Sequence, residues 1–191
     1  AAAAAGFFLA REGQVVVAGR NLDRLKRSSI PLLRRSIGVV WQDFKLLPAR
    51  TVFDNVAISL EILGMPRKQI NRRVEEVLEM VGLEELAGRK DIDWGSLTFG
   101  EKQRLSLLRI FYHKPRYAVI DEATAGLGLR TERRIFERCR AMGIALVVVA
   151  QQRSLLQFCD SCLTLSGGGE WEQRPVDAAE RSPLLRALST E

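Results

Sequence analysis

Histidine, cysteine and long apolar runs are scarce in this sequence of 191 residues. The single histidine, His113, argues against a zinc site built from histidine and cysteine ligands. The 3 cysteines are odd in number, which predicts reduced thiols in a cytosol-like compartment rather than a disulfide framework. The longest apolar run, from Ile144 to Ala150, is far shorter than the ~20 residues that cross a bilayer. We therefore expect any membrane association to depend on a partner.

The charge is basic but not concentrated in one region. Lys and Arg number 29 against 23 Asp and Glu, which gives a formal net charge of +6. Such an excess can mark a surface for nucleic acid or anionic lipid. The basic residues are scattered among acids, and no stripe of aromatic and basic side chains is visible, so we expect no nucleic-acid partner. The composition, 47% hydrophobic and 27% charged, fits one globular domain.

The second half alternates apolar runs with helical patterns. Tyr117 to Ile120 and Ile144 to Val149 predict buried strands, and Leu129 to Met142 between them predicts a helix. Continuous Val, Ile and Leu strands separated by helices indicate an α/β fold, with a largely parallel sheet covered by helices on both faces. Ligands of such sheets bind at the carboxyl ends of the strands. Cys162 to Leu165 predicts a further edge strand.

Two strands and two helices are predicted in the first half, the first strand at Gln14 to Ala18, where Gly19 ends it. Ile37 to Trp41 is rich in β-branched residues, and Thr51 to Leu63 has a helical pattern. Pro66 to Val81 is the clearest helix, because its apolar residues recur at helical spacing and Pro66 suits a first turn. Gly82 follows at the position where a left-handed glycine commonly ends a helix. We expect a helical insert at about residues 66–88.

Two adjacent carboxylates follow the strand that begins at Tyr117. Asp121 and Glu122 end a buried run, where an unpaired charge would cost several kcal/mol. We therefore expect the pair to face a cation or a polar cleft. In phosphoryl transfer such acids hold Mg²⁺ and orient the attacking water. The same pattern also fits the first residues of an ordinary loop.

Two further patterns are compatible with a phosphate site. Thr98 and Glu101 have capping-box spacing, so a helix should begin here with backbone N–H groups able to bind an anion. An ordinary capped helix has the same spacing. Gln42 follows the strand that ends at Trp41, and its side-chain carbonyl could ligate Mg²⁺, although an isolated loop glutamine fits the sequence equally well.

The order of these patterns resembles that of ATP-binding cassette (ABC) ATPases over about residues 13–173. Gln42 matches the Q-loop glutamine, and Leu97 to Glu101 stands where the LSGGQ/E signature belongs. Asp121 and Glu122 match the Walker B aspartate and the glutamate beside it. The resemblance implies a P-loop NTPase-like α/β cassette with a largely parallel sheet, helices on both faces and a helical insert. It also implies ATP and Mg²⁺ as cofactors.

The resemblance assigns a role to each matching position. Asp121 and Gln42 would hold Mg²⁺ through water, and Glu122 would polarise the attacking water. Gln151 stands at the position of the catalytic switch histidine. The nucleotide-binding positions of the family correspond to Gln42, Thr98, Gly100 and Glu101. Two cassettes would pair head to tail, with the Thr98–Glu101 helix start of one facing the nucleotide of the other.

The two halves of the chain resemble different branches of the family. Ile37 to Pro48 and Glu61 to Pro66 resemble the bacterial cell-division ATPase FtsE. Gly100 to Arg104, Phe111 to Ala118 and Gly168 to Trp171 resemble the peroxisomal acyl-CoA half-transporters of subfamily D. The mixture is compatible with a chimera or a divergent lineage, and it leaves the cargo open.

Four features depart from the family pattern. No G-x-x-x-x-G-K-[ST] loop, whose backbone and lysine hold the β- and γ-phosphates, occurs among the 191 residues. Phe99 replaces a signature glycine, Gln151 the switch histidine, and Gly128 the D-loop aspartate. Glutamine can bond a phosphate but cannot carry a proton as histidine does. We therefore expect this chain by itself to bind ATP weakly and to hydrolyse it poorly.

Three functions remain compatible with the sequence. One is a cassette that couples ATP binding and hydrolysis to a membrane partner, for transport or cell division. The others are a degenerate, non-hydrolysing cassette with a structural or regulatory role, and a soluble ABC protein acting on ribosome or DNA. The resemblance implies a transmembrane subunit and a second cassette as partners, and a cytoplasmic location, peripheral on the cytosolic face of a membrane. We expect the cassette at residues 1–173 and a helical tail at 174–191.

Overall fold

The computed structural model describes residues 14–89 and 91–181, in two compact units that divide after Val149. The strands of the first unit are β1 (Val16–Val17), β2 (Arg20–Asn21), β3 (Ile37–Val40), β4 (Tyr117–Asp121) and β5 (Ala145–Val149). Its α-helices are α1 (Ile30–Ser36), α2 (Val52–Ile62), α3 (Arg67–Met80), α4 (Phe99–His113) and α5 (Leu129–Ala141). The second unit contains β6 (Ser161–Gly167), β7 (Glu170–Pro175) and α6 (Ala178–Arg181).

Three parallel strands in the order β3-β4-β5 form the central sheet. Val40 pairs with Ile120, and Ile120 pairs with Val148, so the three carboxyl ends lie at one edge. Val40, Ala118 and Ile120 are each 0% exposed and form the buried face of the sheet. The predicted parallel α/β architecture is therefore confirmed, and the strand ends that carry the candidate site lie side by side.

The prediction that β5 is a fully buried strand is wrong for one of its faces. Val147 is 60% exposed and Val149 is 49% exposed, whereas Leu146 and Val148 are half-buried. Successive side chains of a strand point to opposite faces, so this strand at the edge of the described sheet packs on one side. A continuous apolar run does not distinguish burial on one face from burial on two.

Helix α4 connects the sheet to the helical insert. Leu107, Ile110 and Phe111 are each 0% exposed, and the helix packs against both β3 and α3. It ends at His113, and the C-cap residue Lys114 has a left-handed backbone (φ 45) and precedes Pro115. Because α4 begins at the signature segment, its packing fixes where that segment lies relative to the sheet.

The helical insert predicted at about residues 66–88 contains α3 and the turn that follows it. Gly82 adopts the predicted left-handed conformation (φ 71), which glycine reaches without a steric penalty. Two arginines bind the carbonyl groups at this end of α3. The guanidinium of Arg104 donates to the carbonyl of Gly82, and that of Arg134 donates to the carbonyl of Glu79 at 2.8 Å. Cations are favourable at a helix carboxyl terminus, so these bonds attach the insert to α4 and α5.

The second unit is built on an antiparallel hairpin. β6 pairs with β7 across a turn of three glycines at 167–169, with Leu165 opposite Trp171. Arg174 of β7 donates two hydrogen bonds of 2.8 Å to the carboxylate of Glu180 in α6. The predicted helical tail at 174–191 therefore begins with the last residues of a strand, and helix α6 starts at Ala178. Residues 182–191 of that tail lie outside the described residues.

Among the described residues, no helix is both long and apolar enough to cross a bilayer.

Candidate functional site

Gln42 and Glu122 meet at the carboxyl edge of the sheet. Gln42 lies in the loop after β3, and Glu122 directly follows β4. The side-chain amide of Gln42 donates a hydrogen bond of 3.1 Å from Nε2 to Oε2 of Glu122. Asp121, the last residue of β4, lies beside this pair along the chain. The structure thus brings together polar side chains that are 80 positions apart in the sequence.

Glu122 is held in a conformation that its residue type disfavours. Its backbone is left-handed (φ 47), and its N–H donates to the carbonyl of Val149 at 2.9 Å. A left-handed residue other than glycine costs on the order of 1–3 kcal/mol and persists where the surrounding structure holds it. The turn after β4 is therefore fixed by β5, and it presents the Glu122 carboxylate at the sheet edge.

Asp121, Glu122 and Gln42 supply carboxylate and amide oxygens, the donor types that suit a magnesium ion bound together with a nucleotide. Mg²⁺ takes one or two carboxylates and completes its shell with phosphate oxygens and water. No group of three or more His, Cys, Asp or Glu side chains in the described part of the chain could hold a metal. This donor set therefore suits a shared metal–phosphate position rather than a closed protein cage.

The predicted capping box at the start of α4 is present. The N–H of Thr98 donates to Oε2 of Glu101 at 2.7 Å, its hydroxyl donates to the same oxygen at 2.6 Å, and Thr98 accepts from the N–H of Glu101. These hydrogen bonds from Thr98 hold the pKa of Glu101 below its usual value. Gly100, the residue before Glu101, lies close to the carbonyl of Gly126. An anion approaching this helix start would meet the negative charge of Glu101.

The loop after β3 is attached to the start of α4 by contacts that the sequence did not predict. The rings of Phe44 and Phe99 meet edge to face, with centroids 5.3 Å apart and planes at 71°. The indole N–H of Trp94 donates to the carbonyl of Pro48 at 2.7 Å. The only sequence signal for these contacts was the aromatic character of the residues, which names no partner.

The loop after β4 is attached to the same helix start. Gln103 is 1% exposed, and its Oε1 accepts a hydrogen bond of 2.7 Å from the N–H of Gly126. A Cβ atom added at Gly126 would lie 2.6 Å from this oxygen and 2.7 Å from Cδ1 of Phe99. The two chain segments can approach this closely because Gly126 has no side chain.

We expect Gly126→Ala to lower the free energy of unfolding by about 1–3 kcal/mol, because the added methyl group must displace Gln103 or Phe99. Chemical denaturation measures the change. Gly128→Ala is the matched control, since nothing lies within 4 Å of its added Cβ atom. The control should cost less than about 1 kcal/mol, from its position before the first turn of α5. Equal losses in the two variants would contradict the close approach at Gly126.

A buried carboxyl group lies beneath the loop after β4. Glu132 of α5 is 1% exposed and shares a hydrogen bond with the side chain of Thr124, which is 2% exposed. The Oε1 atom of Glu132 has no hydrogen-bond partner among the described residues. Burial raises the pKa of this carboxyl above its usual value, more than the bond from Thr124 lowers it.

We expect Glu132→Gln to become more stable relative to the parent chain as the pH rises. A carboxyl whose pKa is raised by folding contributes stability below its unfolded pKa, 4.5, and loses it as the pH passes the folded value. Glutamine imitates the protonated acid and does not titrate. Denaturation at pH 4 and pH 8 tests the prediction, with Glu137→Gln on the exposed face of α5 as control. A difference between Glu132→Gln and the parent that does not change with pH would contradict it.

Gln151 is the predicted site residue that belongs to the second unit. It lies in an exposed bend after β5. Gln42 and Glu122 belong to the first unit. The role of Gln151 stays a prediction.

Comparison with known proteins identifies the family. A family model described as "ABC transporter" matches residues 1–125. The methionine import ATP-binding protein MetN of Geobacillus kaustophilus is 35% identical over 176 residues, which cover 90% of this chain and 51% of that protein. MetN of Photorhabdus laumondii is 36% identical over 184 residues, with 92% and 53% covered. The chain thus spans about half the length of these curated relatives.

Solved structures show the same fold. The dimeric bacterial ABC transporter cassette MJ0796 superposes with a TM-score of 0.77 at 24% identity, over 88% of this chain and 75% of that one. The cassette cbiO1 of Clostridium perfringens, part of the transporter complex cbiONQ, gives a TM-score of 0.67 at 27% identity, over 82% and 63%. By its sequence match and its fold, the chain belongs to the ABC transporter family as an ATP-binding cassette.

Proposed function

We propose that this chain is the nucleotide-binding cassette of a system that couples ATP binding and hydrolysis to a membrane partner. The contact between Gln42 and Glu122 carries the proposal, because it joins the loops after β3 and β4 at the edge where parallel sheets bind ligands. The MetN relatives are ATP-binding proteins of methionine import, which supports a transport system. The resemblance to FtsE and to the subfamily D half-transporters leaves the cargo open.

Three side chains would hold the nucleotide's metal and water. Asp121 and the carbonyl oxygen of Gln42 would bind Mg²⁺ through water, which neutralises charge on the phosphates. Glu122 would orient the water that attacks the γ-phosphate, and its hydrogen bond with Gln42 keeps its carboxylate at the sheet edge. The family resemblance gives Gln151 the place of the switch histidine, as a group that can form a hydrogen bond but cannot transfer a proton.

A second cassette would complete the site from the start of α4. Thr98, Gly100 and Glu101 would face the nucleotide of the partner cassette, as the signature does in the family. The dimeric cassette MJ0796 has the same fold, which supports such a pairing. We assign the cassette to residues 1–173, with the helical insert at about 66–88 touching a transmembrane subunit on the cytosolic side of a membrane.

One substitution favours a weak or degenerate version of this activity. The Phe99 ring stands where the family has a signature glycine. A bulky side chain there hinders close approach of backbone N–H groups to a phosphate. The alternative function is therefore a cassette that binds a nucleotide, or only a partner, without turnover.

Calorimetry with ATP tests the proposed function. We expect the chain to bind Mg-ATP with a dissociation constant weaker than about 1 μM, and Gln42→Ala to weaken it a further 3-fold or more, roughly 0.7 kcal/mol. Gln69→Ala, which removes an exposed glutamine of α3, is the matched control and should bind as the parent does. Mg-ATP binding that is unchanged in Gln42→Ala would contradict the site.

Phosphate release measures whether the chain turns over ATP. We expect these 191 residues by themselves to give a rate near background that Glu122→Gln changes by less than about twofold, because they include no G-x-x-x-x-G-K-[ST] loop to position the phosphates. A large fall in rate on this substitution would instead show an active ATPase.

A further inference from the structure

Phe99 lies where three segments of the chain meet. Its ring stands edge to face with Phe44, in the loop that follows β3. Gly126 lies in the loop that follows β4, and a Cβ atom added to it would be 2.7 Å from Cδ1 of Phe99. Phe99 is itself the first residue of α4. One side chain therefore touches both loops that leave the sheet edge and the helix that carries the signature segment.

These contacts form a closed circuit of residues that includes the hydrogen bond of the candidate site. From Phe99 the circuit passes through Phe44 to Gln42, two residues earlier in the same loop. It continues through the 3.1 Å hydrogen bond between Gln42 and Glu122, and returns along the loop from Glu122 to Gly126. We call the residues Gln42, Phe44, Phe99, Gly126 and Glu122 the coupling ring.

The backbone of the coupling ring is held against local preference. Phe44 has a left-handed backbone (φ 60), as does Glu122 (φ 47). A bulky aromatic residue reaches this conformation only where contacts outweigh the strain. The Phe44 N–H also donates to the carbonyl of Trp41 at 3.2 Å, which closes the turn that contains Gln42. The edge-to-face contact between Phe44 and Phe99 helps to offset this strain.

Burial alone does not account for Phe99. The residue is 59% exposed, although phenylalanine is ordinarily buried. An aromatic ring offers a rigid, flat surface that can touch two loops at once, which a small residue at the start of a helix cannot do.

We propose that Phe99 is a positioning residue that couples the loop of Gln42 to the loop of Glu122. Through the contacts of the coupling ring, a shift of one loop also moves the other. The loops of Gln42 and Glu122 therefore move together. The roles of Gln42 and Glu122 rest on the proposed function, but the coupling itself is a property of the chain without nucleotide.

Hydrogen exchange of backbone amides in the nucleotide-free chain tests the coupling. The reporters are the Gly126 N–H, bound by Gln103, and the Leu127 N–H, which donates to the carbonyl of Thr124 at 2.9 Å. Phe44→Ala does not alter the loop that contains them. We expect this substitution nevertheless to raise their exchange rates by about 5-fold or more, because it removes the contact between Phe44 and Phe99 from the coupling ring.

Variants of Phe99 provide a conservative substitution and a double-mutant cycle. Phe99→Ala should raise exchange in both loops, and Phe99→Leu, which keeps an apolar contact, should stay within about threefold of the parent. The double variant Phe44→Ala/Phe99→Ala should exceed the larger single effect by less than about twofold, since both changes remove one contact. Leu129→Ala is the control, because Leu129 is 64% exposed and lies outside the coupling ring.

Two results would overturn the proposal. One is unchanged exchange of the Gly126 and Leu127 amides in Phe44→Ala. The other is multiplication of the two single effects in the double variant, which indicates independent contacts. If Phe99→Ala does not fold, Phe44→Ala and Phe99→Leu decide the question by the same criteria. Because no ATP is added, these outcomes do not depend on whether the chain binds nucleotide.

Discussion

Phe111→Ala should lower the free energy of unfolding by about 3–5 kcal/mol, the range for removing a large buried aromatic side chain. Phe111 is 0% exposed and lies in α4, the helix that packs against β3 and α3. The substitution would leave a cavity between the sheet and the helical insert. Denaturation followed by circular dichroism measures the change.

Ile62→Ala provides the control for this core prediction. Ile62 ends α2 and is 70% exposed, so its truncation should cost less than about 1 kcal/mol. A loss at Phe111 no larger than that at Ile62 would contradict the packing of α4 between the sheet and the insert. The position of the signature segment would then be unsupported as well.

Asp121→Asn should remove most of the effect of Mg²⁺ on ATP affinity. The substitution keeps the size of the side chain at the end of β4 but removes its charge, and a neutral amide binds a hard cation more weakly than a carboxylate. We expect Mg²⁺ to strengthen ATP binding about 10-fold in the parent, roughly 1.4 kcal/mol, and less than about 2-fold in the variant. Calorimetric titrations with and without Mg²⁺ measure both values.

Asp23→Asn is the matched control for this charge. Asp23 is exposed and lies in the turn after β2, outside the candidate site. Its replacement should leave the Mg²⁺ effect as it is in the parent. An equal loss of the Mg²⁺ effect in both variants would point to general electrostatics, and an intact effect in Asp121→Asn would place the metal elsewhere.

Locally encoded elements were predictable from the sequence. The helix from Arg67 to Met80 follows from its apolar spacing and from Gly82, whose left-handed backbone ends it. The capping box of Thr98 and Glu101 fixes the start of α4. In each case the residues that determine the structure are a few positions apart, so periodicity and capping chemistry suffice.

Other elements depended on contacts that the sequence does not display. Helix α1 (Ile30–Ser36) was not predicted, because seven residues give too short a pattern to establish a helical period. β7 was missed because its polar residues pair with β6 to form a hairpin. The exposed face of β5 was misjudged since apolar composition does not reveal what covers a strand.

The candidate site was partly predictable. The rule that parallel strands end at one edge placed Gln42 near Asp121 and Glu122, and the structure shows the bond between Gln42 and Glu122. The contacts of Phe99 with Phe44 and Gly126 were not predictable, because they join segments far apart in the chain and depend on the orientation of one ring.

The central claim is that Gln42, Asp121 and Glu122 surround one metal–phosphate position. Nuclear magnetic resonance with Mn²⁺ in place of Mg²⁺ tests it directly, since the paramagnetic ion broadens the signals of nearby amides. With ATP present, we expect the amide signals of all three residues to broaden together, and more than that of Gln69 on α3. Broadening confined to one strand end, or no greater than at Gln69, would contradict the account.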